Sequence, residues 1–372
     1  MRVVDRTAAR TFDAMGTLLL AGPSFDSWQP LGQQWFEREL DYVFALKQAG
    51  LVDFLQQAQT QRVLRRILAV LHENLHRARH GYSIEMLGVA LSQERERAST
   101  AIAFLQAIVD NFEQRGHPIM VMKTLDHWPD TGSDLDLLVG APEHVVVSIF
   151  ENDFCAKRQA PSWGDRLAHK YNFRIPGLGE LVEVHVGCLG QTGEQKNLAS
   201  CLLSRKVYED FGRNSLPVPM PEDRIVIATL QRMYRHFYIR LTDIVNIFGL
   251  LASGRIHFDQ LQSVAEIGAI WPGVSTLLVI VHQHGLSYGG SASELPEIVR
   301  EAAQFGARQT YLGKKFVRVP ILPQAAKLFL RQWAGNMQKH DFKATMRISL
   351  LPLLATAAFL SFRLTGDDKG VW

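Results

Sequence analysis

The sequence predicts an α+β protein: a small mixed β-sheet flanked by N- and C-terminal helical regions. Three observations predict it. Apolar residues recur at spacings of three and four before residue 112 and again after residue 221, the period of helices with one buried face. Between those stretches, from Gly116-His117-Pro118 onward, the apolar runs shorten to strand length. One run, residues 134–139, reads DLDLLV and opens with two aspartates one residue apart. The expected division is an N-terminal helical region over 1–112, an α/β core over 113–220 and a C-terminal helical domain over 221–372.

Composition sets the class. A chain of 372 residues with 47% hydrophobic content has enough apolar side chains for a sizeable core. The net charge of +3 is too small to argue by itself for nucleic acid or an anionic membrane. Cys155, Cys188 and Cys201 make no even framework and no CxxC pair, which favours a reducing compartment and a cytoplasmic location. The apolar patch over 18–21 is short for a signal-peptide core. The uncharged stretch 348–362, between Arg347 and Arg363, is shorter than a bilayer span and contains Pro352. It reads as a core helix, with a membrane-surface or partner-binding helix as the alternative, so no integral membrane span is expected.

In order along the chain, residues 1–30 read as irregular, broken by Gly22, Pro23 and Pro30. Helices follow to residue 111, with Ser99 as a cap ahead of the stripe Ile102, Leu105, Ile108, Val109 and Phe112. Strands are expected over 119–122, 135–139 and 181–186, with a looser alternation over 169–175 and a turn at Pro176-Gly177. Pro142 opens a helix. Pro221 opens another, whose stripe Leu230, Met233, Phe237, Leu241, Ile244 and Phe248 predicts one continuous helix carrying Arg232, His236 and Arg240 on a second, polar face. Shorter helices are expected near 258–267 and 295–304, separated by a Gly/Ser-rich loop over 285–293.

The chemistry gathers on the strands. Asp134 and Asp136 project from the same face of theirs. At about 5 Å and an effective dielectric near 20 their repulsion is about 3 kcal/mol, so the pair needs a proton, a basic neighbour or a metal. Oxygen ligands of this type suit Mg²⁺ (or Mn²⁺). Glu183, with His185 on the same face two residues on, supplies a third carboxylate if the two strands are neighbours. Three carboxylates on adjacent strands can hold metals for in-line phosphoryl displacement. Gly132 and Ser133 form a tight turn with backbone N–H groups near a phosphate. Lys123 reads as a phosphate ligand or a solvated charge, and Arg232, His236 and Arg240 as a phosphate clamp or an exposed face paired internally with Asp243. His185 reads as a histidine satisfied beside the acids, with a metal ligand or proton acceptor as the alternative. Trp128, His127 and Trp163 fall in expected loops, where they pack or stack a base.

The segment 123–139, the Glu183-Val184-His185 strand and the later His236, Arg240 and Asp243-Ile244 resemble the DNA polymerase β-type nucleotidyltransferase superfamily. Within it they are most similar to the uncharacterised bacterial nucleotidyltransferase family, with its Lys-Gly, Pro-containing turn and Asp-x-Asp strand. The resemblance covers about residues 35–250. It implies a nucleotidyltransferase-type sheet and transfer of a nucleoside monophosphate from an NTP, ATP first among them, with release of pyrophosphate. Mg²⁺ would sit on Asp134 and Asp136, with Glu183 as third acid. A small-molecule hydroxyl or phosphate is the expected acceptor, and a tRNA end or a protein hydroxyl the next. Where the superfamily has Gly-Gly or Gly-Ser, this chain has Lys123-Thr124. That departure motivates a second reading, a nucleotide- or partner-binding protein without turnover; a phosphohydrolase using the same acids is a third.

Overall fold

The computed structural model describes residues 6–22, 30–77, 81–313 and 315–352. At its centre is a five-stranded mixed sheet made of β1 (Ile119–Met122), β2 (Asp134–Val139), β3 (Lys157–Arg158), β4 (Lys170–Arg174) and β5 (Leu181–Val186), in the order β1-β2-β5-β4-β3. β2 and β5 run parallel; the other pairs are antiparallel. Helices precede the sheet: α1 (Arg6–Leu20), α2 (Pro30–Phe44), α3 (Gln48–Thr60), α4 (Leu64–Glu73) and the long α5 (Gly81–Gln114). Short helices α6 (Glu143–Ser148), α7 (Trp163–Leu167) and α8 (Lys196–Ser204) connect and follow the strands, and a hairpin, β6 (Val207–Phe211) and β7 (Asn214–Val218), closes the middle of the chain. Then come α9 (Pro221–Gln231), α10 (Leu241–Ala252), α11 (Phe258–Ile267), α12 (Trp271–Ser287), α13 (Glu297–Ala302), α14 (Ala326–Gln338) and α15 (Phe342–Ser349). A small sheet joins β8 (Tyr238–Ile239), β9 (Tyr311–Leu312) and β10 (Val317–Arg318). The fold class is α+β.

The period-two alternation of the strands decides which side carries chemistry. Val121, Leu135, Leu137, Val182 and Val184 share a core with Leu105, Ile108 and Phe112 of α5. Met120, Met122 and Leu138 point the other way and join a second core built by helices from both ends of the chain, including Phe12, Leu40, Phe54, Ile244, Phe248 and Leu277. Asp136 has the parity of Leu138, and Glu183 and His185 sit beside it across the β2–β5 ladder. The acidic face therefore looks toward the helices at both ends.

Several expectations are corrected. Residues 6–20 are helical rather than irregular: Phe12, Met15 and Leu18 recur at three-residue spacing and are buried, and the breakers begin only at Gly22. The apolar 18–21 patch is part of that core. No break falls at Ser99. The charged residues 94–97 continue α5, with Arg97 paired to Glu94 one turn back at 2.8 Å and to Glu180 at 2.7 Å. The single helix expected across 221–248 is broken. Arg232–His236 is a π turn, Phe237 adopts φ 53, and Tyr238–Ile239 leave the helix to pair with Val317–Arg318. The β6–β7 hairpin, and helix α12 running through Gly285 to Ser287, were not expected. Of the uncharged 348–362 stretch, Ile348 and Leu351 are buried, and residues 353–362 lie outside the described residues. Among the described residues no helix is long and apolar enough to cross a membrane.

Two stability predictions arise here. A Cβ on Gly285 of α12 would stand 2.0 Å from Phe248 Cδ2 of α10. Alanine favours a helix interior by about 1 kcal/mol over glycine, but overpacking costs more. Gly285→Ala is expected to destabilise the protein by about 2 kcal/mol in urea titration. Asp223, in the first turn of α9, is wholly buried against Arg205 at 3.2 Å. Burial, partly opposed by Arg205, pushes its carboxyl up to about 6. A carboxyl raised above its unfolded value makes stability fall as pH rises from about 4 to 6 and level off above. Asp223→Asn is expected to flatten that fall, by about 3 kcal/mol for a shift of this size, in melting curves taken from pH 4 to 7.

Candidate functional site

The site is built where β1 ends and β2 begins. Lys123 leaves β1 with φ 62, a left-handed conformation that favours glycine. The chain then makes a short 3₁₀ turn over Leu125–His127 and returns to β2. Thr124 Oγ1 accepts the Asp136 N–H at 2.9 Å and donates to the Asp134 carbonyl at 3.3 Å. Thr124 thus pins the turn to the acidic strand.

Asp136 and Glu183 are register partners on the parallel strands β2 and β5. Lys123 Nζ lies 2.5 Å from Asp136 Oδ1, 3.5 Å from Glu183 Oε1 and 3.3 Å from His185 Nε2. Glu183 is held on both oxygens: Oε1 by His185 Nε2 at 2.9 Å, and Oε2 by Lys170 Nζ of β4 at 2.6 Å. A buried carboxylate and a part-buried one thus face two buried ammonium groups, which accounts for the tolerance of burial. Burial, more than its charged neighbours, pushes the Asp136 carboxyl up. Burial opposes ionisation of Glu183 too, but Lys123, His185 and Lys170 outweigh it and hold that carboxyl well below the usual range. Burial and Lys123 push His185 down to about 3, so its imidazole is neutral. Its Nδ1 is buried without a hydrogen-bond partner.

Asp136, Glu183 and His185 offer ligand atoms within 4.8 Å of one another. Two carboxylates and a neutral imidazole are a donor set that fits a divalent cation. The His185 nitrogen that faces the acids is Nε2, 2.9 Å from Glu183 Oε1 and 4.0 Å from Asp136 Oδ1. Lys123 fills part of that space, so a metal entering there displaces its ammonium from Asp136. Asp134 stands outside the triplet, 40% exposed, with Arg62 Nη2 at 3.7 Å.

The other expected residues distribute unevenly. Gly132 and Ser133 lie at the mouth. Arg97 holds the Gly132 carbonyl at 3.0 Å, and Arg62 donates to Ser133 Oγ at 3.3 Å. A Cβ on Gly132 would meet Arg62 Nη1 at 2.8 Å. Arg232, His236 and Arg240 do not share a helix face, because the chain breaks between them. Arg232 is buried and its charge is taken by Asp243 at 2.7 Å. Arg240 donates to the Tyr238 hydroxyl at 3.2 Å, while its buried Nε has no hydrogen-bond partner. Burial, then Arg62 and Arg232, lower Arg240 to about 10. Burial, then Arg235, Arg232, Arg240 and Lys123, lower His236 to about 2. Cations therefore gather around a neutral His236, and Arg62, which acts on Arg240, also reaches Asp134. Trp128 packs edge-on against Phe211 at 5.5 Å, His127 is buried, and Trp163 remains exposed at the start of α7.

Sequence reading missed Arg62, Arg97 and Lys170. Each acts on residues 13 to 83 positions away, and no local spacing marks it. It also did not foresee the cavity of about 480 Å³ between α4, the 123–129 turn, α9 and α10, which opens on Lys123 and is lined by Arg66, Asp126, Arg224 and Asn246.

Fold and site together define an α+β protein with a buried carboxylate–imidazole cluster compatible with a divalent metal. No family model matches the chain, and no curated protein matches it. A crystal structure of an antigenic nucleotidyltransferase-like protein from Paracoccidioides brasiliensis is similar at 17% identity and a TM-score of 0.32, covering 49% of this chain and 93% of that one. Likeness at that level adds nothing to the reading of the site, which rests on its own geometry.

Proposed function

We propose that the chain is a metal-dependent nucleotidyltransferase that moves a nucleoside monophosphate from an NTP, ATP first among candidates, to a small-molecule hydroxyl or phosphate. The observation that carries this reading is the pairing of Asp136 with Glu183 in register on parallel strands, with Asp134 two residues earlier on the same face, at the exposed mouth. Asp134 and Asp136 would hold Mg²⁺ or Mn²⁺, with Glu183 as third acid and His185 alongside. A bound divalent ion supplies charge neutralisation at the phosphate. The protein's own groups do the rest. Lys123, freed from Asp136, binds phosphate oxygens, and Arg62 and Arg240 do so at the mouth. The backbone at Gly132 and Ser133 lies against the same space. Lys170 and His185 orient Glu183, and the cavity beyond Lys123 receives the acceptor. In this reading the middle part of the chain, 113–220, carries the chemistry, the 1–112 and 221–372 parts wall the cleft, and the protein works in the cytoplasm.

An α-³²P-NTP labelling assay tests the reading, using host lysate split into small-molecule, RNA and protein fractions with an Asp134→Ala/Asp136→Ala control. Label in the small-molecule fraction that depends on the acids supports it. Label in RNA or protein keeps the transfer and changes the acceptor.

A second reading is favoured by one observation, the Lys123 ammonium seated on Asp136. It is a nucleotide-binding protein without turnover. Saturable NTP binding with no pyrophosphate release by any of the four NTPs would support it over the first.

A further inference from the structure

The helical pair α14–α15 leaves an apolar face uncovered. Leu330, Trp333 and Met337 line one side of α14 at spacings of three and four. Phe342, Met346 and Leu350 form a stripe of period four along α15. Met346 is 74% exposed, Leu330 61% and Phe342 57%. Trp333 Nε1–H donates to Ser349 Oγ at 3.1 Å, which ties the two helices together. A contiguous patch of this kind marks an interaction surface rather than scattered exposure.

Charge selects the occupant. Residues 326–352 contain five basic residues, Lys327, Arg331, Lys339, Lys343 and Arg347, against one acid, Asp341. Asp341 is engaged, accepting the Ala344 N–H at 3.0 Å. Lys339 pairs with Glu266 at 3.2 Å, but among the described residues Lys327, Arg331 and Lys343 make no ion pair and are exposed. A cavity of about 410 Å³ lies beside α15, lined by Asp341, Lys343 and Arg347 and by Lys196 from the start of α8; Arg347 also donates to the Thr192 and Gly193 carbonyls at 3.1 and 2.7 Å. Its acid from the sheet side, Glu194, is already bound to the Thr192 N–H at 2.9 Å and hydroxyl at 3.0 Å. Cationic side chains thus flank the apolar stripe, and a cationic cavity lies alongside it. The sequence then runs without a charged residue from 348 to 362.

We infer that the α14–α15 face docks on an anionic lipid surface: Phe342, Met346, Leu330 and Trp333 enter the headgroup–acyl boundary, Lys327 and Arg331 meet lipid phosphates, and the Lys196/Lys343/Arg347 cavity receives a headgroup phosphate. An interfacial helix combines these features, an aromatic and aliphatic face bordered by lysine and arginine. The net charge of +3 hides it, because the acids lie elsewhere in the chain. The inference is independent of the nucleotidyl-transfer reading.

Flotation of the full chain with vesicles of phosphatidylcholine, alone or mixed with phosphatidylglycerol, tests it. Binding is expected with the anionic vesicles, weakening at high salt. Leu330→Glu/Met346→Glu, at exposed positions that leave the core intact, is expected to abolish it. Lys327→Gln/Lys343→Gln is expected to weaken partitioning by about thirtyfold, since each basic side chain near the surface contributes about a factor of five. Failure to float with anionic vesicles at low salt would overturn the inference. So would binding that the glutamate pair leaves unchanged, or a dimer in sedimentation analysis that Met346→Glu dissociates, since a second copy would then own the face.

Discussion

Asp136→Ala is expected to abolish metal-dependent nucleotidyl transfer, by at least about 10³-fold, and to lower stability by about 3 kcal/mol. The activity estimate follows from losing a metal-holding carboxylate that supplies several kcal/mol of charge stabilisation. The stability loss has a separate cause. Lys123 is buried, and its shortest contact is Asp136 at 2.5 Å; alanine leaves the ammonium with Glu183 at 3.5 Å and His185 at 3.3 Å. Breaking one partner of a buried pair is costly because the other charge is stranded. Two further variants separate the effects. Asp134→Ala should lose activity comparably with little change in stability, since Asp134 is partly exposed and 3.7 Å from Arg62. Lys123→Met added to Asp136→Ala should recover most of the stability and none of the activity. Denaturant titration and labelling of the same preparations check both. Full activity in Asp136→Ala would remove the site assignment.

Arg66→Ala is expected to destabilise the protein by about 4 kcal/mol, one of the largest losses from a side chain outside the acidic cluster. Arg66 binds Asp130 Oδ2 at 2.6 Å, Asn246 Oδ1 at 2.8 Å, the His127 carbonyl at 3.1 Å and Thr242 Oγ1 at 3.2 Å. It thereby joins α4, the turn below the acidic strand and α10. Asp130 is buried, and burial already pushes its carboxyl up against the pull of Arg66. Without the guanidinium, Asp130 keeps only backbone N–H donors, from residue 66 and from Arg65 at 2.6 Å. Arg66→Lys should restore little, since one ammonium cannot span four partners divided between the turn and α10. Chemical denaturation reads the loss, and a change below about 1 kcal/mol would show the network to be slack.

The acidic strands were legible because their information is local. DLDL and VEVHV alternate in period two, so parity places Asp136, Glu183 and His185 on one face once the strands are neighbours. The helical ends were legible for the same reason at period 3.6. What failed was tertiary. Phe237 keeps the spacing of the stripe around it, yet the helix ends there because Tyr238 and Ile239 pair with residues almost eighty positions on. Arg232 carried two readings in the sequence, phosphate clamp and internal partner of Asp243, and the fold gives the second, across that break. Lys123 carried two meanings in the sequence, phosphate ligand and solvated charge, and the fold adds a third, internal counter-ion to Asp136. Lys170 follows no motif. Only the antiparallel register that sets it opposite His185 brings its ammonium to Glu183.

Mn²⁺ binding, followed by loss of the free-ion electron paramagnetic resonance signal, tests the central claim most directly. The wild-type chain is compared with Asp134→Ala/Asp136→Ala, each with and without ATP. The metal-dependent transferase account predicts saturable binding that ATP tightens and that the double variant loses. Mn²⁺ uptake that is absent in the wild type, or equal in the variant, would contradict it and leave Asp136, Glu183, Lys123 and Lys170 as a closed structural ion-pair network.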